Sequence, residues 1–286
     1  MIDPSSPLAG KTMFLGVGAQ KSGTTWLSRY LADHPDVYMS ALKEMHFWGN
    51  RTSKAKWPNS AFEKRIARLR ANGSTSLSTF NLISALQDRL TMRGDIEKYT
   101  AYFEDRVEDH SAFGEISPAY CKLSRDELAL IKSQYPEVKI IYLMRNPADR
   151  LWSQIRFSEE AETLEEMEQK IDASFDKQVY QDRLDYVNTI QNLQAVFAPE
   201  NLHFEFFEHL FTQEAVDKIC AFLGVAPHAG EFSKKRNVSI KMPLQPKLRA
   251  DIVARLEPHY TFVRDMFDRE IPLSWQRDLT ELRNAG

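Results

Sequence analysis

The residues best suited to chemistry cluster near the start of the chain. Gly18-Ala19-Gln20-Lys21-Ser22-Gly23-Thr24-Thr25 follows an apolar run, Met13 to Val17, and opens a helical pattern. A strand that turns sharply into a helix gathers backbone N–H groups and the positive end of the helix dipole, an arrangement that cradles phosphate. Gly18 and Gly23 have the spacing of the Walker A loop, but Thr24 stands where that motif carries its lysine. The cation here is Lys21, at the tip of the loop, which suits one phosphate and whatever is attached to it. A second anion-binding set comes after the buried-strand pattern Val138 to Met144: Arg145-Asn146-Pro147, then Arg150, Ser153 and Phe157. Arg145 at a strand end can fork onto a phosphate, and Ser153 adds a hydroxyl donor. Arg150 and Ser153 fall on one helix face at i, i+3. In Lys43-Glu44-Met45-His46-Phe47-Trp48, a carboxylate and an imidazole lie two residues apart. In an extended chain both would point to the same side. Glu44 is then the candidate general base, a role typically contributing about 10²- to 10⁴-fold, and His46 would orient it or meet an acceptor.

The elements that must hold these residues alternate. Short apolar runs at Met13, Val37, Ala112, Val138 and Leu202 read as strands, each followed by a helical pattern. That alternation predicts an α/β fold in three layers, a central parallel sheet of about five strands with helices on both faces. Ligands then sit at the carboxyl ends of the strands, where the residues above are found. Between about 50 and 110 the chain turns polar and helical, with a loop through Ala71-Asn72-Gly73-Ser74, and is expected to be an insertion in a single domain of residues 1–286. Ser124 and Glu127 form a capping-box signature for a helix to Gln134. Two amphipathic helices are expected from Pro246 onward.

Composition narrows the partners. With 43% hydrophobic and 27% charged residues the chain is globular. A net charge of −3 argues against nucleic acid, which needs a broad basic face, so positive charge must be local. No apolar run reaches the roughly 18 residues of a membrane span. The start, MIDPSSPLAGKT, lacks a basic segment followed by an apolar one, so no signal peptide is expected. Cys121 and Cys220 offer neither a disulfide framework nor metal spacing, which favours a reducing cytoplasm. Only 11 glycines occur, and none between Gly114 and Gly224.

Taken together, these motifs resemble one family. Gln20-Lys21-Ser22-Gly23-Thr24-Thr25-Trp26 after a strand is similar to the loop of the sulfotransferases that use 3′-phosphoadenosine 5′-phosphosulfate (PAPS), where it holds the 5′-phosphate. Arg145-Asn146-Pro147 with Arg150, Ser153 and Phe157 resembles the family's second signature, whose first Arg and Ser bind the 3′-phosphate. Lys43 to Trp48 and Gly114-Glu115-Ile116-Ser117-Pro118-Ala119-Tyr120 resemble segments of heparan-sulfate sulfotransferases and many bacterial relatives. Phe207-Glu208-His209-Leu210 and Phe222-Leu223-Gly224 look like the family's closing strand and helix. Lys234-Lys235-Arg236-Asn237-Val238-Ser239 resembles the basic loop over the cofactor's 3′ side.

The resemblance implies sulfuryl transfer from PAPS to a hydroxyl, less readily an amine, of a carbohydrate, lipid or small molecule. PAP (3′-phosphoadenosine 5′-phosphate) is released and no metal is needed. Lys21 would stabilise the leaving phosphate; at about 4 Å such a pair is worth roughly 4 kcal/mol at an effective dielectric near 20. Two departures stand out. Ile116 replaces a lysine that heparan enzymes carry, and Gln178 stands where the family has a glycine before the helical tyrosine, here Tyr180. A homodimer is compatible with the sequence. The competing readings are a P-loop kinase using ATP and Mg²⁺, opposed by the missing Walker lysine, and a catalytically silent nucleotide-binding protein.

Overall fold

The computed structural model describes every residue except 1, 51–58, 74, 159–162, 234–242, 269 and 286. The chain begins its regular structure with β1 (Thr12–Gly18), α1 (Thr24–Ala32) and β2 (Val37–Met39). Three helices follow, α2 (Asn59–Ala71), α3 (Leu77–Met92) and α4 (Ile96–Glu104), before β3 (Ala112–Ile116). Next come α5 (Arg125–Gln134), β4 (Lys139–Met144), α6 (Pro147–Ser158), α7 (Leu164–Asp176), α8 (Gln178–Leu184) and α9 (Tyr186–Val196). The chain closes with β5 (Leu202–Phe206), α10 (Gln213–Leu223), α11 (Pro246–Met266) and α12 (Leu273–Ala285). Five strands form one parallel sheet in the order β2-β3-β1-β4-β5.

Alternate residues of each central strand feed opposite faces, as period-2 geometry requires. Met13, Leu15 and Val17 of β1 join Ile140, Tyr142 and Met144 of β4 in one core. Phe14 joins Ile141 and Leu143 in the other. Both faces are therefore covered, and the three-layer expectation holds. Gly16 belongs to this packing: a Cβ there would come 2.5 Å from Ile116 Cγ1.

The strand order fixes where a ligand can bind. Chain leaving β1 goes to one side, to β2, while chain leaving β3 crosses to the other, to β4. The two neighbouring strands thus diverge at their carboxyl ends and open a crevice there. Residues 18–23 leave β1 at that crevice, and Ser117 leaves β3 beside them, its N–H donating to Gly16 O at 2.9 Å.

The helices between β2 and β3 share the sheet's core. Phe62, Ile66, Ala85, Leu86, Tyr99 and Phe103 cluster with Leu15 and Val17. The Ser124 capping box forms as expected, and α10 ends at Gly224 in the left-handed conformation. α11 packs on α6, α9 and α12. Gln178 opens α8 and bonds Asp182, while Tyr180 is buried.

Candidate functional site

Gly23 makes the turn from β1 into α1 possible. Its φ is 86°, and a Cβ would lie 2.7 Å from Leu210 Cδ2, so a side chain there would be both strained and crowded. Lys21, a non-glycine residue, is also left-handed, with φ 69°. Ser22 is fully buried, and its N–H bonds Ala19 O at 3.3 Å, so neither its hydroxyl nor its amide faces the crevice freely. The N–H groups of Gln20, Lys21, Gly23, Thr24 and Thr25 make no hydrogen bond among the described residues. No side chain caps α1. Unpaired donors at a helix N-terminus are the set that a phosphate satisfies. Trp26, in the first turn, stacks on Tyr30 and on Phe232 with ring centroids 5.6 and 5.7 Å apart.

Cations converge on these donors. Burial lowers the Lys21 ammonium to a pKa of about 8, helped by the like charges of Arg145, Arg156, Lys43 and Arg150. Its Nζ lies 3.9 Å from the centroid of the Phe157 ring, which is itself largely exposed. Arg145 Nη1 donates to Lys21 O at 3.1 Å, and its guanidinium lies over the Phe207 ring. Arg150 Nη1 donates to Gln20 O at 3.2 Å. The two arginines of the second motif therefore reach the first motif directly. Ser153 is buried on α6.

Asn146 has a different job from its neighbours. Its Oδ1 accepts from Asp149 N–H at 3.1 Å and so caps α6, while its Nδ2 donates to Asp278 Oδ2 at 2.6 Å. Asp278 is fully buried and accepts a two-pronged pair from Arg249, 2.7 and 2.8 Å. The turn carrying Arg145 is thus braced by α11 and α12. The guanidinium of Arg145 is thereby held at the crevice, where it can offer an anion a charge-assisted fork.

The segment 43–48 brings Glu44 and His46 together, though not as extended chain. Both residues are left-handed, with φ 63° and 50°. Instead of a strand ladder, other groups hold the backbone. Glu44 N–H donates to Ile116 O at 3.1 Å, His46 N–H to Ser117 Oγ at 3.0 Å, and Phe47 N–H to Tyr120 Oη at 2.8 Å. Arg89 from α3 donates to Met45 O at 2.6 Å and His46 O at 3.2 Å. The resulting turn sets His46 Nε2 3.3 Å from Glu44 Oε2, and Lys43 Nζ 2.9 Å from Glu44 Oε1. The His46 hydrogen bond and the Lys43 charge hold the Glu44 carboxyl down at a pKa of about 2, against the opposing effect of burial. Among the described residues five non-glycines have positive φ, and Lys21, Glu44 and His46 are three of them. Backbone strain of this kind concentrates at functional sites.

Beneath this turn lies a polar cluster built from the Gly114–Tyr120 segment, to which the sequence assigned no role. Glu115 is fully buried and accepts from Tyr120 Oη at 2.7 Å, Ser117 Oγ at 2.7 Å and Tyr99 Oη at 3.1 Å. Burial raises its pKa, while the three hydroxyls oppose that shift. Ser117 and Tyr120 are the same groups that receive the His46 and Phe47 amides, so Glu115 positions the turn at one remove. Its signal in the sequence is a lone acidic residue inside an apolar strand. Arg89 carried no such signal. Lys234, Lys235, Arg236 and Asn237, the expected basic loop, lie outside the described residues.

Residues 14–228 match the sequence pattern of the sulfotransferase family. The chain belongs to the sulfotransferase family. The structure of a sulfotransferase from Alicyclobacillus acidocaldarius superposes on 93% of this chain and 99% of its own, with TM-score 0.66 and 22% identity. The sulfotransferase domain of the curacin biosynthetic pathway covers 87% of this chain and 97% of its own, with TM-score 0.47 and 16% identity. The membrane-associated sulfotransferase kil1 of Dictyostelium discoideum is 27% identical over 158 residues, 53% of this chain. This chain spans about a quarter of that protein's length, 25%. No helix among the described residues is long and apolar enough to cross a membrane.

Proposed function

We propose that the protein moves a sulfuryl group from PAPS to a hydroxyl of a carbohydrate, lipid or small-molecule acceptor. The observation that carries this reading is the meeting of five unpaired loop amides with Lys21, Arg145 and Arg150 at one crevice. That site suits a ligand bearing separate phosphates. The free N–H groups of Gly23, Thr24 and Thr25 would hold the 5′-phosphate, and Arg145 with Ser153 the 3′-phosphate. Trp26 bounds the same surface.

PAPS supplies an activated sulfuryl group. In the in-line transfer the acceptor oxygen bonds to sulfur as sulfur's bond to the bridging oxygen breaks, and the acceptor proton leaves. Lys21 is placed to neutralise the leaving oxygen. Lys43 joins the two halves of the site: it bonds Glu44 and its charge acts on Lys21. Glu44 takes the acceptor proton, being ionised at any pH above about 2. His46 Nε2, 3.3 Å from Glu44 Oε2, holds the carboxylate in place for this transfer. The buried, unpaired Cys121 and Cys220 support a reducing, cytoplasmic setting.

A thermal-shift comparison tests the cofactor. PAP at about 100 times its dissociation constant should stabilise the protein by roughly 2.7 kcal/mol, a rise of several degrees, while ATP with Mg²⁺ gives less. A larger shift with ATP–Mg²⁺ would mark a kinase instead. Incubation with labelled PAPS and a panel of alcohol and sugar acceptors, read by product mass, then identifies the acceptor class.

A further inference from the structure

Arg150 is fully buried, with 0% of its surface exposed. Its Nη1 donates to Gln20 O in the loop at 3.2 Å, but Nε and Nη2 have no hydrogen-bond partner among the described residues. The strongest charge effects on it come from Tyr186, Cys121, Tyr142 and Arg183, and no carboxylate makes an ion pair with it among the described residues. Burial pushes the Cys121 thiol up to about 11, so that group is neutral as well. Arg249, on α11 and only partly buried, differs: two carboxylates, Asp278 and Asp149, close on it.

A buried cation without a counter-charge is unfavourable and is kept only where something offsets it. Arg150 lies directly behind the loop whose amides are unpaired, and it holds the Gln20 carbonyl so that those amides face outward. We infer that Arg150 is a positioning residue whose counter-charge is the phosphate of the bound nucleotide: the ligand-free protein gives up stability at this site and regains it on binding. The inference rests on the phosphate-binding reading of the loop. It also predicts an effect in the free protein that a purely structural arginine would not show. Removing the charge while keeping the volume should not harm the unliganded fold.

The experiment compares wild-type protein with Arg150→Met and Arg150→Lys, by calorimetric melting without ligand and by PAP titration. Unliganded R150M should melt at or above the wild-type temperature and bind PAP about tenfold or more weaker, the scale of one lost charge contact to phosphate. R150K, which keeps the charge, should recover most of that binding. An R150M protein that melts several degrees lower, or fails to fold, overturns the inference by showing that the arginine is a strut. Unchanged PAP affinity in R150M, or R150K binding no better than R150M, overturns it too. If wild-type protein does not bind PAP, the proposed function falls first and this inference with it, before any variant is compared.

Discussion

Lys21→Met leaves a folded protein that binds PAP yet transfers sulfuryl about 10²- to 10³-fold more slowly, the cost of removing one preorganised charge from a transition state. The fold should tolerate the change because Lys21 sits among like charges. Arg145, Arg156, Lys43 and Arg150 all act on it, and methionine relieves that repulsion. The same surroundings give the lysine a pH signature. With a pKa of about 8 in the free protein, it is half protonated at that pH. A bound phosphate favours the ammonium and raises the pKa, so binding near pH 8 should take up about half a proton. Below about pH 7 the lysine is already charged and the uptake fades. Titrating PAP in buffers of different ionisation enthalpy measures the uptake, and its absence in K21M assigns it. Equal uptake in both proteins would place the titrating group elsewhere.

Glu44→Gln should lower turnover about 10²- to 10⁴-fold, the range of a lost general base, with little change in PAP affinity. Glutamine keeps the size of the side chain and one oxygen, and the backbone bonds to Ile116, Ser117 and Tyr120 retain the left-handed turn at 44–46. What disappears is the anion that receives the acceptor proton. His46→Asn should be milder and should act mainly on turnover, since it removes only the group that holds the carboxylate from 3.3 Å away. Near wild-type turnover in E44Q with a confirmed acceptor would dismiss the carboxylate as the base. A larger loss in H46N than in E44Q would give that role to the imidazole.

The central strands β1, β3 and β4 were legible because they are buried on both faces and announce themselves as apolar runs closed by glycine or proline signals. Lys21, Arg145 and Arg150 were legible for a related reason: each follows a strand end, where chain direction alone brings residues 124 or 130 positions apart together. The form of the Glu44–His46 turn was not. Periodicity offers only strand or helix for a six-residue stretch, and this one is shaped by bonds to Ile116, Ser117, Tyr120 and Arg89. Such partners are set by packing between distant elements, which spacing does not encode. Asp278 and Arg249 escaped notice likewise, since either reads alone as an exposed charge on an amphipathic helix.

Arg89 has a consequence for how such a protein can be re-engineered. The segment carrying α2, α3 and α4 lies between two strands and invites exchange between relatives. Yet from within it Arg89 grips the carbonyls of Met45 and His46. A graft that omitted this guanidinium would release the turn that carries Glu44 and His46. The helical segment and the turn of Glu44 and His46 are therefore not separable modules in this chain, and a working chimaera must transplant the grip along with the helices.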